Sequence, residues 1–136
     1  HTLLYVRMLR TGILNPHILD LLARIRHTNT LVIADRGFPY WPEIETVDIS
    51  LTDDIPTVLD VLNAIKANFV FGPVFMAEEF LAHNTAETQS RFAGTMNGMQ
   101  LIYEPHLDFK KRVPDAIGLI RTADTTPYGN IIIESA

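Results

Sequence analysis

Five consecutive residues, Thr30-Leu31-Val32-Ile33-Ala34, constrain this chain more than any others. They are apolar or β-branched, hold no Gly or Pro, and are closed off by Gly37, Pro39 and Pro42, which is the pattern of a buried strand. Such a strand has to be covered by other elements, so its neighbours decide the architecture. A candidate acid–base group stands at each end, His27 before the strand and Asp35 just after it. The strand is roughly 17 Å long, so the two groups meet only through a bend, a substrate or a neighbouring chain.

The flanking sequence supplies the covering layers. Asn15-Pro16 reads as a helix N-cap followed by a tolerated Pro, and Ile18, Leu21, Leu22 and Ile25 form one apolar stripe. That helix is expected to end near Arg26, which puts His27 on a helix-to-strand turn held by Thr28 and Asn29. Val47, Ile49 and Leu51 alternate with polar residues as in a half-buried strand. Thr52-Asp53-Asp54 offers acidic caps, with Pro56 in the first turn of a helix whose stripe is Val58, Val61, Leu62 and Ile65. Phe69 to Met76 reads as a strand, and Gly72-Pro73 inside it points to a bulge or an edge position. Asn84 and Glu87 have capping-box spacing for a helix from Thr85 to about Phe92, ended by Gly94 and Gly98. Gln100 to Tyr103 returns to strand, and Pro105 to Val113 is an amphipathic helix closed by Pro114. Ile117 to Ile120 and Asn130 to Ile133 are the last strands, joined by the polar loop Arg121 to Gly129. This alternation predicts one three-layer α/β/α domain around a mostly parallel or mixed sheet, spanning residues 8–136. Met8 reads as the native start, with His1 to Arg7 a vector-derived or disordered extension.

Composition removes several function classes. With 136 residues the chain is long enough to bury a sizeable core. A net charge of -5 and scattered basic residues argue against a nucleic-acid surface; Lys110-Lys111-Arg112 is the one basic run. The absence of Cys excludes disulfides and thiolate metal sites and is compatible with the cytoplasm, where we place the protein. No apolar run approaches the roughly 20 residues that span a bilayer. Walker, Gly-x-Gly-x-x-Gly and Gly-x-Ser-x-Gly patterns do not occur. Glu78-Glu79 near His83 comes closest to a metal-ligand cluster, and exposed acidic residues explain it equally well. No metal or cofactor is expected.

Polar groups at element ends remain: His27 and Asp35 around the first strand, His106 and Lys110 four apart on one helix, and Tyr128-Gly129-Asn130 before the last strand. Loops at strand ends are where ligands bind in α/β folds. Imidazole, carboxylate, ammonium, phenol and amide together suit a neutral polyhydroxylated ligand such as a sugar. Each also has a plainer explanation. His27 could cap the first helix, Asp35 could fix a turn, and His106 could be an ordinary first-turn helix residue. Lys110 could be solvated, Tyr128 could pack at a strand edge, and Asn130 could cap a turn.

The chain resembles the D-ribose pyranase and L-fucose mutarotase family. The resemblance rests on Gly12-Ile13-Leu14-Asn15, on His27-Thr28-Asn29-Thr30 leading to Asp35-Arg36-Gly37-Phe38-Pro39, and on Asp48-Ile49-Ser50-Leu51. It continues through His106-Leu107-Asp108-Phe109-Lys110-Lys111, Ile120-Arg121-Thr122 and Pro127-Tyr128-Gly129-Asn130. His27-Thr28 and Gly37-Phe38-Pro39 lean to the ribose branch, whereas Tyr-Gly-Asn is the form associated with the fucose branch. The resemblance implies a cofactor-independent isomerase that opens and recloses a free monosaccharide, D-ribose first and L-fucose as the alternative. A non-catalytic sugar-binding accessory of a transport or regulatory system is a further alternative. It also implies that His27 is the catalytic acid and that Asp35, His106, Lys110, Tyr128, Gly129 and Asn130 bind the sugar. The implied assembly is a ring-shaped homo-oligomer, commonly a decamer, with active sites at subunit contacts.

Overall fold

The computed structural model of the chain describes residues 12–136, so the expectations placed on His1 to Arg7 and on Met8 lie outside the described residues. Helix α1 (Pro16–Ala23) begins at the expected cap: the Asn15 side chain accepts from the His17 and Ile18 N–H groups at 2.9 and 3.1 Å. Those donors have no partner within the helix, which is why an Asx oxygen starts it. After α1 come β1 (Thr30–Ala34), β2 (Glu45–Asp48), α2 (Val58–Lys66), β3 (Phe71–Ala77), α3 (Glu79–His83) and α4 (Ala86–Thr95). Then follow β4 (Gln100–Glu104), α5 (His106–Arg112), a 3-10 turn (Val113–Asp115), β5 (Gly118–Arg121) and β6 (Ile131–Ser135).

The strands form one mixed sheet in the order β2-β5-β1-β6-β3-β4. β2, β5 and β1 pair in parallel, as do β3 and β4, and β6 runs antiparallel to both β1 and β3. Side chains alternate between two apolar layers. Leu31, Ile33, Val74, Met76, Ile120, Ile131 and Ile133 pack with α1, α2, α3 and α4 on one face. Val32, Ala34, Phe75, Leu119 and Ile132 pack with α5, Phe38 and Ala116 on the other. Period-two alternation inside a run with no polar member is what a sheet covered on both faces requires. Helix α1 lies so close to β5 that a Cβ on Gly118 would sit 2.6 Å from Leu21 Cδ1 and 3.2 Å from the Glu45 carbonyl oxygen.

Several boundaries depart from the sequence expectation. Helix α1 stops at Ala23, three residues short of Arg26, and the chain then turns. The Val47-Ile49-Leu51 alternation does not continue as strand. The N–H groups of Leu51 and Thr52 both donate to Ile55 O, so the chain folds back there, and Leu51 is exposed. Helix α2 starts at Val58, because Thr57 and Asp60 form a reciprocal capping box. Asp54 instead turns the chain with φ +64° and accepts from the Thr125 N–H and hydroxyl, both at 2.9 Å. β3 carries the expected irregularity, between Phe71 and Val74, but is internal, flanked by β6 and β4. Thr85, not Asn84, caps α4, which runs through Gly94 to Thr95.

Candidate active site

The C-terminal ends of β1, β4 and β5 and the N-terminal end of the antiparallel β6 all reach the same edge of the sheet. The loops leaving those ends line a cleft of about 300 Å³, at the small end of the range for small-molecule sites. Asp35, Gly37, Phe38, His106, Asp124, Tyr128 and Asn130 are among its walls. The topology therefore brings together residues up to 95 positions apart in sequence, as when Asp35 N–H donates to Asn130 Oδ1 at 2.7 Å.

Asp35 follows β1 directly. Burial pushes its carboxyl above the usual carboxylate range. The Gly37 and Phe38 N–H groups and the Asn130 side chain oppose that shift, and Asp124 adds to it. The Gly37 N–H donates to Asp35 Oδ1 at 3.1 Å. His106 opens α5, and burial pushes its imidazole below the usual value. The Lys110 ammonium adds to the depression, and the Glu79 and Asp35 carboxylates counter it. His106 Nδ1 is buried and has no hydrogen-bond partner among the described residues. The Tyr128 ring stands edge-on to the His106 ring at 5.2 Å. Tyr128 itself has φ +55°, a left-handed backbone that non-glycine residues seldom adopt. The turn closes through the Gly129 N–H donating to Thr126 O at 3.1 Å, and a Cβ on Gly129 would meet Thr126 Cβ and O at 3.1 Å.

His27 and Lys110 lie apart from this group. His27 is exposed at the other edge of the sheet, where the Thr28 N–H donates to Ser135 O at the far end of β6. The expected turn is present: Asn29 Oδ1 accepts from the Arg26 N–H at 2.8 Å, and Thr28 has φ +66°. A β-branched residue with that φ costs of order 1–3 kcal/mol and persists only where its surroundings enforce it. Lys110 lies one turn beyond His106 on α5, in a neighbouring groove with Trp41, Leu107, Lys111 and Pro114. Its contribution to the cleft is the charge it exerts on His106.

Two supporting residues were given no role by sequence reasoning. Arg121, at the end of β5, donates to the carbonyls of Asp35, Arg36 and Pro39, each at 3.3 Å, and so pins the loop that presents Asp35. Asp124 is buried and accepts from the Val58 N–H at 2.9 Å and the Thr126 N–H at 2.7 Å, tying the start of α2 to the cleft wall. Arg121 was legible only as part of Ile120-Arg121-Thr122, and Asp124 only as part of a polar loop. Among the described residues no group of three or more His, Asp or Glu side chains is gathered as a metal-ligand set. No helix among them is long and apolar enough to cross a membrane.

A carboxylate, an imidazole, a phenol and an amide line one small cleft at the end of a six-stranded sheet, a set of groups able to hydrogen-bond a compact polar molecule. The chain belongs to the RbsD / FucU transport protein family, whose model matches residues 8–136. Among its relatives, the D-ribose pyranase of Geobacillus kaustophilus is 38% identical over 128 residues, covering 94% of this chain and 93% of the relative. The D-ribose pyranase of Bacillus licheniformis is also 38% identical, covering 94% and 97%. Bacillus subtilis RbsD, solved in complex with D-ribose, superposes with a TM-score of 0.87 at 32% identity, covering 95% of this chain and 98% of that one. The fucose mutarotase of Streptococcus pneumoniae, solved with L-fucose, has a TM-score of 0.73 at 15% identity over 96% of each chain, a likeness of fold.

Proposed function

We propose that this protein is a cofactor-independent isomerase that interconverts the cyclic forms of free D-ribose. The observation that carries the reading is the convergence of Asp35, His106, Tyr128 and Asn130 on one cleft, in a chain 38% identical over 128 residues to a D-ribose pyranase. In this reaction the ring oxygen gains a proton while the anomeric hydroxyl loses one, and the C1–ring oxygen bond breaks to give the open aldehyde. Reclosure through a different hydroxyl converts pyranose to furanose, and reclosure on the other carbonyl face converts one anomer to the other. Atoms and electrons balance without an external oxidant, reductant or cofactor.

His27 is the proposed acid–base residue, since imidazole is a side chain that can both donate and accept a proton in this reaction. It stands at the opposite edge from its own cleft, so in this reading it serves the cleft of an adjacent subunit in a homo-oligomeric ring, decameric by the family resemblance. Asp35, His106, Tyr128 and Asn130 hold the sugar hydroxyls, with Asp35 or His106 as second proton carrier. Lys110 and Gly129 complete the binding set, Lys110 through its charge and Gly129 through the tight turn. We place the enzyme in the cytoplasm.

Saturation-transfer NMR on D-ribose, L-fucose and D-galactose tests the proposal. The wild-type protein should speed exchange among the ring forms of D-ribose, and His27→Ala should slow it by roughly 10²–10⁴-fold, the usual share of general acid–base catalysis. Faster exchange of L-fucose alone would reassign the substrate. Binding of a sugar without faster exchange would reduce the protein to a carrier.

A further inference from the structure

Helix α3 has no place in the chemistry above, yet the contacts at both its ends terminate on cleft residues. At its start, the two Glu79 carboxylate oxygens accept the His106 backbone N–H at 3.0 and 3.2 Å. That N–H begins α5, whose own N-cap, Pro105, offers no side-chain hydrogen bond. Just past the end of α3, Asn84 Nδ2 donates to Pro127 O at 2.8 Å and to Phe80 O at 2.9 Å. The His83 ring lies 5.2 Å from the Tyr128 ring. The segment is itself fixed: Phe80 is fully buried 4.8 Å from Phe92, and Gln89 Nε2 donates to the Leu81 and Asn84 carbonyls at 2.9 and 3.0 Å.

We infer that Glu79, His83 and Asn84 are positioning residues: together they set the spacing and tilt of His106 against Tyr128 in the sugar cleft. The inference rests on the functional reading above. Its physical core is the peptide plane between Pro127 and Tyr128. Asn84 holds the carbonyl of that plane, and the φ of Tyr128 is the rotation immediately after it. A tyrosine at φ +55° stays there only while neighbouring groups enforce it. Because Glu79 fixes the first residue of α5 from the same short helix, both binding residues are referenced to one rigid piece. A displacement of about 1 Å between such groups is enough to lose much of a bound sugar's orientation.

Three variants test this: Asn84→Asp, which keeps the shape and removes the donor, and Glu79→Ala beside Glu79→Gln, which keeps one acceptor oxygen. The readouts are kcat and KM for exchange among D-ribose ring forms, and amide hydrogen exchange at Gly129 against Ile131 to Ile133. Asn84→Asp should raise KM about tenfold with kcat less affected, and Glu79→Ala should lower kcat/KM to a similar extent. Glu79→Gln should recover the wild-type values to within about twofold, because the acceptor is retained. The Gly129 amide should exchange faster in Asn84→Asp while those of β6 do not change. Folded Asn84→Asp and Glu79→Ala proteins with wild-type kcat and KM would overturn the inference, as would a Glu79→Gln protein as impaired as Glu79→Ala. If the wild type acts on no sugar, the functional reading fails, and the Gly129 amide alone then decides: faster exchange in Asn84→Asp upholds the bracket and an unchanged rate removes it.

Discussion

Asp35 and His106 are moved in opposite directions by one cause. Burial disfavours the charged form of each, so the carboxyl rises and the imidazole falls. In the cleft the carboxyl is thus harder to ionise than usual and the imidazole harder to protonate. The raised carboxyl has a cost in stability. The folded state binds the Asp35 proton more tightly than the unfolded chain, so stability falls as pH rises from the ordinary value of 3.8 through the folded one. Asp35→Asn should thus raise Tm at pH 7 by roughly 2–4 °C while damaging sugar binding, the usual trade at a functional site. The gain should vanish in scans below the unfolded carboxyl pKa, and a variant no more stable than wild type at pH 7 would show that the site is not strained. At this scale much of the cleft's lining was legible. Asp35, His106, Tyr128 and Asn130 all sit where an element begins or ends, and an α/β sheet gathers such positions on one edge. Lys110 stands differently, because four residues along a helix is about 6 Å, which sets it in the next groove, where its charge still acts on His106.

Elements were read well where the deciding contacts are local and poorly where they are not. The α1 cap and the α2 stripe depend on residues within one helix, and both stand as expected. The cap expected at Asn84 falls one residue later. Thr85 takes the role, accepting from the Thr88 N–H at 3.2 Å, because Asn84 is committed to a carbonyl 43 positions away. No periodicity shows that tie, and so α3 went unseen as a separate element. Tight interlayer contacts are equally silent in sequence. Gly118 carries no side chain because Leu21, fully buried, fills the space a Cβ needs. Gly118→Ala should destabilise the fold by roughly 1–3 kcal/mol, the usual range for overpacking a core. Urea denaturation would measure it, and a difference under about 0.5 kcal/mol would mean that α1 can shift on the sheet.

On the scale of the whole molecule, the α/β layering was legible because strands with no polar members demand cover on both faces. The separation of His27 from Asp35 was legible too, from the length of β1. What the separation means is a matter of assembly. If His27 serves a neighbouring cleft, mixing an inactive His27→Ala protein with an inactive Asp35→Asn protein should restore up to about a quarter of the wild-type rate, the share of contacts that pair two intact halves. No recovery after co-refolding would confine each active site to a single chain. One further consequence lies in the strand order. Among the described residues, β2, β5 and β1 form one ribbon and β3 and β4 another, joined by ladders only through β6. The turn that leads into that keystone also carries Tyr128 and Asn130, so the strand that joins the two ribbons is the same one that sets two walls of the cleft in place.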